Sequence, residues 1–476
     1  MSITKAEPKR VMKFFEELCA MPHGSGNTKQ ISDYCVEFAK ARGYDYVQDE
    51  LNNVVIFCPG SEGCEDCEPV IIQGHMDMVC DSVPEKDIDM SKEGVTPYID
   101  GEFIKADGTT LGADDGIALA YAFAVLDDKE LVHPPIEAVF TVDEETGLQG
   151  ASGMDVSVLK GRKMLNIDSE VEGVLTVSCA GGASVMCSFP YERDNVSGTE
   201  YEIVIDGLVG GHSGMEINSD RANAIVLLGR VLYGLGDGIR IAEVAGGNKG
   251  NAIAKYARAK VVADRDISAE VSAFDAMFKK EFAVTDSGVK VSCKETGKGE
   301  YSAFTADASK RTASFLNLAP FGVYAMSADM PGLVQTSLNF GILSMTESEI
   351  KALYNVRSSV GSQKRWLMSK LRALTEMVGG KIDIQGEYSE WEYRRESPLR
   401  DLMVEVFVEQ YGMEPTIEAI HAGVECGIFA SKLDGLDCVS FGPDLLEIHT
   451  VRERMSIASV QRVWAYLCSV LERLTK

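Results

Sequence analysis

Segments with helical spacing alternate with short β-branched runs along roughly the first 170 residues, and the alternation returns after residue 396. Strands that alternate with helices are typical of an open, largely parallel sheet with helices on both faces. The predicted strands lie at 53–58, 70–73, 136–142, 164–167 and 438–441, and the predicted helices at 9–19, 30–42, 116–127, 399–411 and 460–474. In such sheets, ligand sites gather beyond the carboxyl ends of the strands, so the residues that follow each strand are the candidates for function.

The middle of the chain has a different pattern, in which alternating strands outnumber helices. Strands are predicted there at 201–205, 257–263, 288–293 and 381–386, with helices at 221–235 and 364–378. A length of 476 residues suits two or three domains. We therefore predict one α/β domain built from residues 1–185 and 393–476, interrupted by an inserted α+β domain at 186–392.

The formal net charge of −27 limits the partners that this chain can have. Such a charge repels phosphate backbones, so nucleic acid is not an expected partner. We expect no membrane span, because the chain has no apolar run of about 18 residues. The opening residues MSITKAEPKRVMKFFEEL lack the uninterrupted apolar core of a secretion signal. A cytoplasmic location with reduced cysteines is therefore the expectation.

Acidic residues and histidines follow five separate connections of the predicted sheet. They are His75, Asp77, Asp114, Asp115, Glu144, Glu145, Asp168 and His449. Carboxylates gathered in one crevice repel each other unless cations neutralise them. Carboxylates and imidazoles together suit zinc, cobalt or manganese, and this number of donors suits two metal ions, a common device for hydrolysis.

Two of the spacings have a physical reason. Residues two apart on a strand share a face, so Asp77 can orient the imidazole of His75 as that imidazole holds a metal. Neighbouring residues beyond a strand end can diverge, so Glu145 can bind metal and Glu144 can act as a general base. Taken singly, each pattern has a commoner explanation, such as a helix cap or a solvated turn. Their shared placement at one sheet edge favours the metal site.

Five motifs together resemble the dinuclear zinc peptidase superfamily, which contains carboxypeptidase G, aminoacylase and several dipeptidases. They are GHMDMV, DGTTLGADDGIALA, DEETGLQGA, LNIDSE and LEIHT. Four further segments, MPHGSGNTKQISDY, GLVGGHSGMEI, GGNKGNAI and AIHAGVECGIF, are similar to the aminoacyl-histidine dipeptidase subfamily, also called peptidase D or cytosol non-specific dipeptidase. The similarity runs nearly from end to end, and the set of motifs is far more specific than any single one.

This resemblance implies a catalytic domain with two zinc ions, for which cobalt or manganese are substitutes. Asp114 would bridge the two metals. Asp168 would complete the ligands of the metal bound by His75, and His449 would complete those of the other metal. Relatives often have Asn where Asp115 stands, which leaves open which aspartate of the pair bridges, with Asp114 preferred.

The inserted domain resembles the lid of the family, and a homodimer through this lid is the expected assembly. His212 would polarise the scissile carbonyl and stabilise the oxyanion. Asn251 and Arg357 would hold the C-terminal carboxylate of the substrate, which limits substrates to very short peptides. Glu425 would meet the ammonium group of the substrate or serve as a structural acid.

These features predict a metallo-dipeptidase that hydrolyses unblocked dipeptides, with Xaa-His peptides such as β-Ala-His among the candidates. The nearest alternative is an N-acyl-amino-acid deacylase or a tripeptidase on the same scaffold. Two others are a non-catalytic protein that binds peptides or metals, and an interaction protein that uses the lid as its platform. The complete ligand set with Glu144 disfavours these last two, and Glu425 favours the dipeptidase over the deacylase.

Overall fold

The computed structural model describes residues 2–476, which divide into two units. Unit 1 combines the chain up to Cys179 with Tyr393–Ile420 and Val424–Lys476. Unit 2 combines Ala180–Glu392 with the three residues His421–Gly423. The main segment of unit 2 spans residues 180–392, and the insert predicted from the sequence spans 186–392.

The elements are numbered in chain order. The first segment contains strands β1 Asp45–Gln48, β2 Val54–Cys58, β3 Val70–His75, β4 Pro97–Asp100, β5 Phe103–Ala106, β6 Ile136–Thr141, β7 Lys163–Asn166 and β8 Val174–Cys179, and helices α1 Lys9–Cys19, α2 Lys29–Arg42, α3 Ala113–Asp127 and α4 Gln149–Gly153. The middle segment contains strands β9 Gly181–Pro190, β10 Arg193–Asp206, β11 Gly211–His212, β12 Ile239–Gly246, β13 Ala252–Ile253, β14 Ala257–Ala263, β15 Lys290–Phe304, β16 Gly322–Met326, β17 Val334–Met345, β18 Glu349–Ser358 and β19 Lys381–Tyr388, and helices α5 Ala224–Leu235, α6 Ser268–Glu281, α7 Ala306–Leu318 and α8 Gly361–Met377. The last segment contains strands β20 Thr416–Ile420, β21 Asp437–Ser440, β22 Leu445–Leu446 and β23 Arg454–Ser456, and helices α9 Pro398–Tyr411, α10 Glu425–Lys432 and α11 Ile457–Arg473.

Unit 1 is built on an eight-stranded mixed sheet with the order β1-β2-β6-β3-β7-β21-β8-β20. Strand β3 pairs in parallel with both β6 and β7, and β7 pairs in parallel with β21. Strand β3 is buried along its whole length, as expected for a central strand of a parallel sheet. The largely parallel α/β fold predicted from the alternation is therefore confirmed.

Helix α3 shows why a small, apolar sequence suits the position beside this sheet. Its residues from Gly116 to Leu126 are all buried, and many of them are alanines that permit close packing. Asp114 and Asp115 have non-helical backbone angles, so the regular helix begins at Gly116, where the sequence pattern placed its start. The two aspartates therefore stand in a bend rather than in a helical turn.

Unit 2 is built on a nine-stranded sheet with the order β15-β10-β14-β12-β17-β18-β9-β19, to which β16 adds beside β17. All of its strand pairs are antiparallel. One apolar core joins the inward residues of these strands to helices α5, α7 and α8. This is the α+β architecture that the alternating strands predicted.

Among residues 2–476, no helix has the length and apolar character needed to cross a bilayer.

Candidate metal centre

Four parallel strands of unit 1 end at one edge of the sheet and bring the predicted donors together. In the register of the sheet, His75 pairs with Thr141, and Gln73 pairs with Asn166. Ser440 of β21 also pairs with Asn166. The connections that leave β3, β6, β7 and β21 therefore start side by side, as carboxyl ends of parallel strands must.

Asp114 lies between two imidazoles. Its Oδ1 atom is 3.1 Å from Nε2 of His75, and its Oδ2 atom is 3.0 Å from Nε2 of His449. One carboxylate thus presents its two oxygens to two different histidines. This is the arrangement that a bridging carboxylate in a dinuclear site requires, and it supports the bridging role for Asp114.

Each histidine also faces a second carboxylate. Oδ1 of Asp168 is 3.7 Å from Nε2 of His75, and Oε1 of Glu145 is 2.9 Å from Nε2 of His449. The Glu145 contact is close, but its direction does not meet hydrogen-bond geometry, so this buried oxygen has no hydrogen-bond partner among residues 2–476. A buried carboxylate oxygen without a donor is the kind of atom that a cation satisfies.

The donor atoms are close enough together to bind metal ions. The donors of His75, Asp114 and Glu145 lie within 4.8 Å of one another, and so do those of His75, Asp115 and Asp168. Nitrogen and carboxylate donors in sets of this size fit divalent ions such as zinc or manganese. The residues present therefore fit a dinuclear metal group, with Asp114 in contact with both histidines.

Asp115 has a different environment from Asp114. Its side chain is buried, and Oδ2 accepts a hydrogen bond from the backbone N–H of His75 at 3.2 Å. Burial raises its pKa well above the ordinary range of an aspartate, and the charge of Asp114 adds to this. Asp115 thus supports the strand that carries His75, whereas Asp114 contacts the imidazoles. This difference favours Asp114 as the bridging residue.

The pKa values show how strongly negative charge is concentrated here. Burial raises the pKa of Asp168 well above its ordinary range, and the neighbouring Asp115 and Asp114 raise it further. The hydrogen bond to Asp114 and the close carboxylate of Glu145 raise the pKa of His449 to about 10. Buried carboxylates that raise one another's pKa values indicate a site where bound cations would be stabilised.

Asp77 holds both His75 and the following turn. Nδ1 of His75 lies 2.9 Å from the backbone oxygen of Asp77 and 3.5 Å from its carboxylate. The ring is therefore oriented mainly by the backbone carbonyl, with Nδ1–H as the donor, which leaves the Nε2 lone pair for a metal. The carboxylate of Asp77 instead accepts hydrogen bonds from the backbone N–H groups of Glu144 at 3.0 Å and Glu145 at 3.4 Å.

Glu144 stands at the position predicted for the general base. Burial raises its pKa to about 8, and although the charge of His75 opposes this, Glu425, Glu145 and Asp114 add to it. A carboxylate whose pKa approaches neutrality can both take and return a proton near physiological pH. Its burial and its acidic neighbours, which raise its pKa, are consistent with an acid–base role for Glu144.

Glu425 lies in a fully buried polar network at the start of α10. Its Oε2 atom accepts hydrogen bonds from Gln73 at 2.5 Å and from Thr141 at 2.6 Å, while Oε1 has no hydrogen-bond partner in the described part of the chain. Burial raises its pKa to about 7. This burial favours the structural alternative over the predicted contact with a substrate ammonium group.

His212 of unit 2 presents one ring nitrogen to solvent. Its Nδ1 atom accepts from the backbone N–H groups of Gly214 at 3.2 Å and Met215 at 3.3 Å, so Nε2 carries the proton in the neutral ring. Burial and the charge of Arg357 lower its pKa, which keeps the ring neutral. Strand β11 pairs with β13, and the backbone oxygen of Asn251 accepts from Ser213 at 2.9 Å. His212 and Asn251 thus lie on neighbouring backbone segments.

Arg357 is largely buried on β18. Its Nε donates to Asn355 at 3.1 Å, and its Nη1 donates to the backbone oxygen of His421 at 3.3 Å and to Tyr388 at 3.4 Å. These contacts hold the guanidinium in one orientation, and no carboxylate of residues 2–476 pairs with it. An oriented guanidinium that has no carboxylate partner is suited to bind an incoming carboxylate.

Two positioning groups were missed by the reasoning from sequence. Glu453 accepts from the backbone N–H groups of Leu111 at 2.7 Å, Gly112 at 3.1 Å and Ala113 at 2.8 Å, directly before Asp114. No local motif marks this glutamate, because its partners are about 340 residues away in the chain. Ser25 donates to Asp77 at 2.8 Å, and the only signal for it was the PHGSGN segment.

The chain belongs to peptidase family M20/M25/M40, whose model matches residues 71–473. It is 34% identical over 480 residues to the cytosol non-specific dipeptidase of Escherichia coli K12, covering 99% of each chain. The crystal structure of an aminoacylhistidine dipeptidase from Vibrio alginolyticus is also 34% identical, covers 99% of this chain and 98% of that one, and matches with a TM-score of 0.94.

A more distant structure is that of aminopeptidase PepT from Bacillus cereus. It is 16% identical over 99% of this chain and 100% of that one, with a TM-score of 0.58, and shows likeness of fold alone. The family expected from the motifs is confirmed by these comparisons.

Proposed function

We propose that this protein is a dinuclear metal-dependent dipeptidase that hydrolyses unblocked dipeptides. The observation that carries the proposal is the carboxylate of Asp114, whose two oxygens face Nε2 of His75 and Nε2 of His449. The relatives named dipeptidase and aminoacylhistidine dipeptidase, each 34% identical over nearly the whole chain, support this substrate class.

The metal ligands that we propose form two sets that share Asp114. His75 and Asp168 would hold one ion, and His449 and Glu145 would hold the other. Bound cations would supply Lewis acidity toward the peptide carbonyl and would lower the pKa of a water molecule. Zinc is the proposed metal, with cobalt or manganese as substitutes, because all three accept this mixture of nitrogen and carboxylate donors.

Glu144 would take the proton of the attacking water and return it to the leaving amine. Its pKa of about 8 suits both transfers near neutral pH. Asp77 would hold Glu144 in place through the backbone bond at 3.0 Å. The neutral His212, with a proton on Nε2, would donate a hydrogen bond to the developing oxyanion. Arg357 and Asn251 would bind the terminal carboxylate of the dipeptide.

Unit 1 has room for a small substrate beside its candidate ligands. A cavity of about 360 Å³ borders Glu145, and its walls include Met78, Met90, Ser25 and Ser91. Flexible methionine side chains adapt to groups of different shape, which suits an enzyme that accepts several side chains. A cytoplasmic location and a homodimer formed by unit 2 complete the proposal.

The proposal is tested by the release of free amino acids from a substrate panel. Protein treated with a chelator would be given zinc, cobalt or manganese and then Gly-Leu, β-Ala-His, a tripeptide or an N-acetyl amino acid. We expect metal-dependent cleavage of the unblocked dipeptides alone. Glu144→Ala should abolish it, and Glu130→Gln, at an exposed residue, should not.

The panel also separates the alternatives. Cleavage of the acetylated compound alone would move the protein to the deacylases, and cleavage of the tripeptide alone would move it to the tripeptidases. Bound metal without any cleavage would favour a binding protein.

A further inference from the structure

The loop between α1 and α2 crosses the edge of the metal centre. Its residues His23, Gly24, Ser25 and Gly26 come from the PHGSGN segment. The backbone oxygen of His23 accepts from the N–H of Met78 at 3.1 Å, and Gly24 forms a parallel bridge with the same residue. The loop is thereby joined to the chain that leaves β3, directly after Asp77.

The same loop also contacts the turn that carries Glu144. The backbone N–H of Gly26 donates to Oδ1 of Asp143 at 2.6 Å. Gly26 has a φ of +75°, a left-handed conformation that glycine adopts without strain. Residues 23–26 therefore connect the β3 exit to the turn after β6, and we call this segment the clasp.

Ser25 provides the side-chain contact of the clasp. Its hydroxyl donates to Oδ2 of Asp77 at 2.8 Å, and the side chain of Asp77 is fully buried. The other oxygen, Oδ1, accepts from the N–H of Glu144 at 3.0 Å. A carboxylate bonded on both oxygens cannot rotate freely about its Cβ–Cγ bond. Together with the N–H of Glu145, which donates to the same Oδ2 atom at 3.4 Å, the hydroxyl of Ser25 holds Asp77 in the rotamer that receives the backbone of Glu144.

We propose that Ser25 is a positioning residue that, through Asp77, holds the turn that carries Glu144. The inference rests on the proposed function for its catalytic consequence, while its structural consequence for the turn does not depend on any activity. Hydrogen bonds to an ionised acceptor are stronger than neutral ones, so the loss of this hydroxyl removes a substantial restraint on a buried anion. A displacement of about 1 Å in a catalytic group costs about 100-fold in rate.

Ser25 also forms part of the wall of the cavity beside Glu145, so a direct contact with substrate is the competing explanation. Ser91 offers a matched control, because it lines the same cavity and its hydroxyl donates to Asp89 at 2.5 Å rather than to Asp77. A change that affects only the lining of the cavity is expected to act alike at both serines.

The first measurement separates kcat from KM for Gly-Leu with zinc in Ser25→Ala, Ser25→Thr and Ser91→Ala. We expect Ser25→Ala to lower kcat about 10- to 100-fold with KM nearly unchanged, because the turn rather than the substrate is displaced. Ser25→Thr, which keeps the hydroxyl, should recover most of kcat, and Ser91→Ala, which alters only the lining of the cavity, should lower kcat much less than Ser25→Ala does. A rise in KM alone for Ser25→Ala would overturn the proposal and make Ser25 a substrate contact.

The second measurement is hydrogen exchange of the full-length protein, followed by mass spectrometry with and without zinc. The amides of Glu144 and Glu145 donate to Asp77, so peptides that span them should exchange faster in Ser25→Ala in both states. Peptides from unit 2 should be unchanged. Unaltered exchange in this turn would overturn the proposal. If the wild type cleaves no dipeptide, faster exchange would still support the clasp while the proposed function fails.

Discussion

The two units hold charged groups in opposite ways. Unit 1 gathers carboxylates at the carboxyl edge of a parallel sheet, where burial raises the pKa of Glu144 to about 8. Unit 2 holds the guanidinium of Arg357 on its nine-stranded antiparallel sheet and the neutral ring of His212 on the two-stranded sheet of β11 and β13. The first arrangement attracts cations, and the second offers hydrogen-bond donors to anions. In the proposed function, unit 1 would supply the metal ligands and the general base, and unit 2 would supply hydrogen-bond donors to the substrate.

The largest effect should follow from the removal of the carboxylate shared by the two histidines. Asp114→Ala removes the oxygens at 3.1 Å and 3.0 Å from the imidazoles. We expect zinc affinity to fall and dipeptide cleavage to drop by about 10³-fold or more, because both proposed ions lose a ligand. Isothermal titration with zinc and the cleavage assay measure these changes. Unchanged zinc affinity in Asp114→Ala would contradict the proposal that unit 1 binds the metal ions through this carboxylate.

Arg357→Ala should affect substrate binding without affecting the metals. The loss of an oriented guanidinium is expected to raise KM for Gly-Leu about 10- to 100-fold, which is the range for a charge-assisted hydrogen bond. Zinc titration should match the wild type, and Gly-Leu amide, which lacks the terminal carboxylate, should be hydrolysed equally by both proteins. Reduced zinc affinity in this variant would contradict the proposal that Arg357 of unit 2 contributes to substrate binding and not to metal binding.

Glu453→Gln tests whether unit 1 needs a buried anion next to its ligand loop. The amide group would place N–H groups against backbone N–H donors that now bond to the carboxylate. We expect a loss of about 1–3 kcal/mol in the free energy of unfolding and a fall of about tenfold in zinc affinity. Urea denaturation and zinc titration provide the measurements, with Glu50→Gln at an exposed residue as the control.

His421 of unit 2 should make stability depend on pH. Burial and the charge of Arg357 lower its pKa to about 4, against about 6.5 in an unfolded chain. As the pH falls from 7 to 5, the unfolded state binds a proton that the folded state does not, so stability decreases. The expected contribution is about 2 kcal/mol.

Urea denaturation of the wild type and of His421→Gln at pH 7 and pH 5 measures this contribution. The wild type should lose about 2 kcal/mol more than the variant on going to pH 5. Between pH 7 and pH 8 neither state takes up this proton, so the two proteins should respond alike. An equal loss at pH 5 in both proteins would place the pH dependence elsewhere in the chain.

Sequence patterns located most elements of unit 1 because their periodicity is local. The helix predicted at 9–19 is α1, and the strand predicted at 136–142 is β6 with one residue fewer. Strands β8 and β20 were not predicted, and they pair with each other across more than 200 residues. Their pairing depends on chain that returns after unit 2, which no local pattern records.

By itself, the sequence determined the fold class and the set of candidate donors, because strand and helix periods and the residues after each strand are local properties of the chain. Only the tertiary structure decided how those donors are used. It placed Asp114 between the two histidines and left Asp115 to bond the backbone of His75. It also buried Glu425 in a polar network. Such distinctions depend on the rotation of side chains and on partners hundreds of residues apart, which only the packed sheet brings within hydrogen-bond distance.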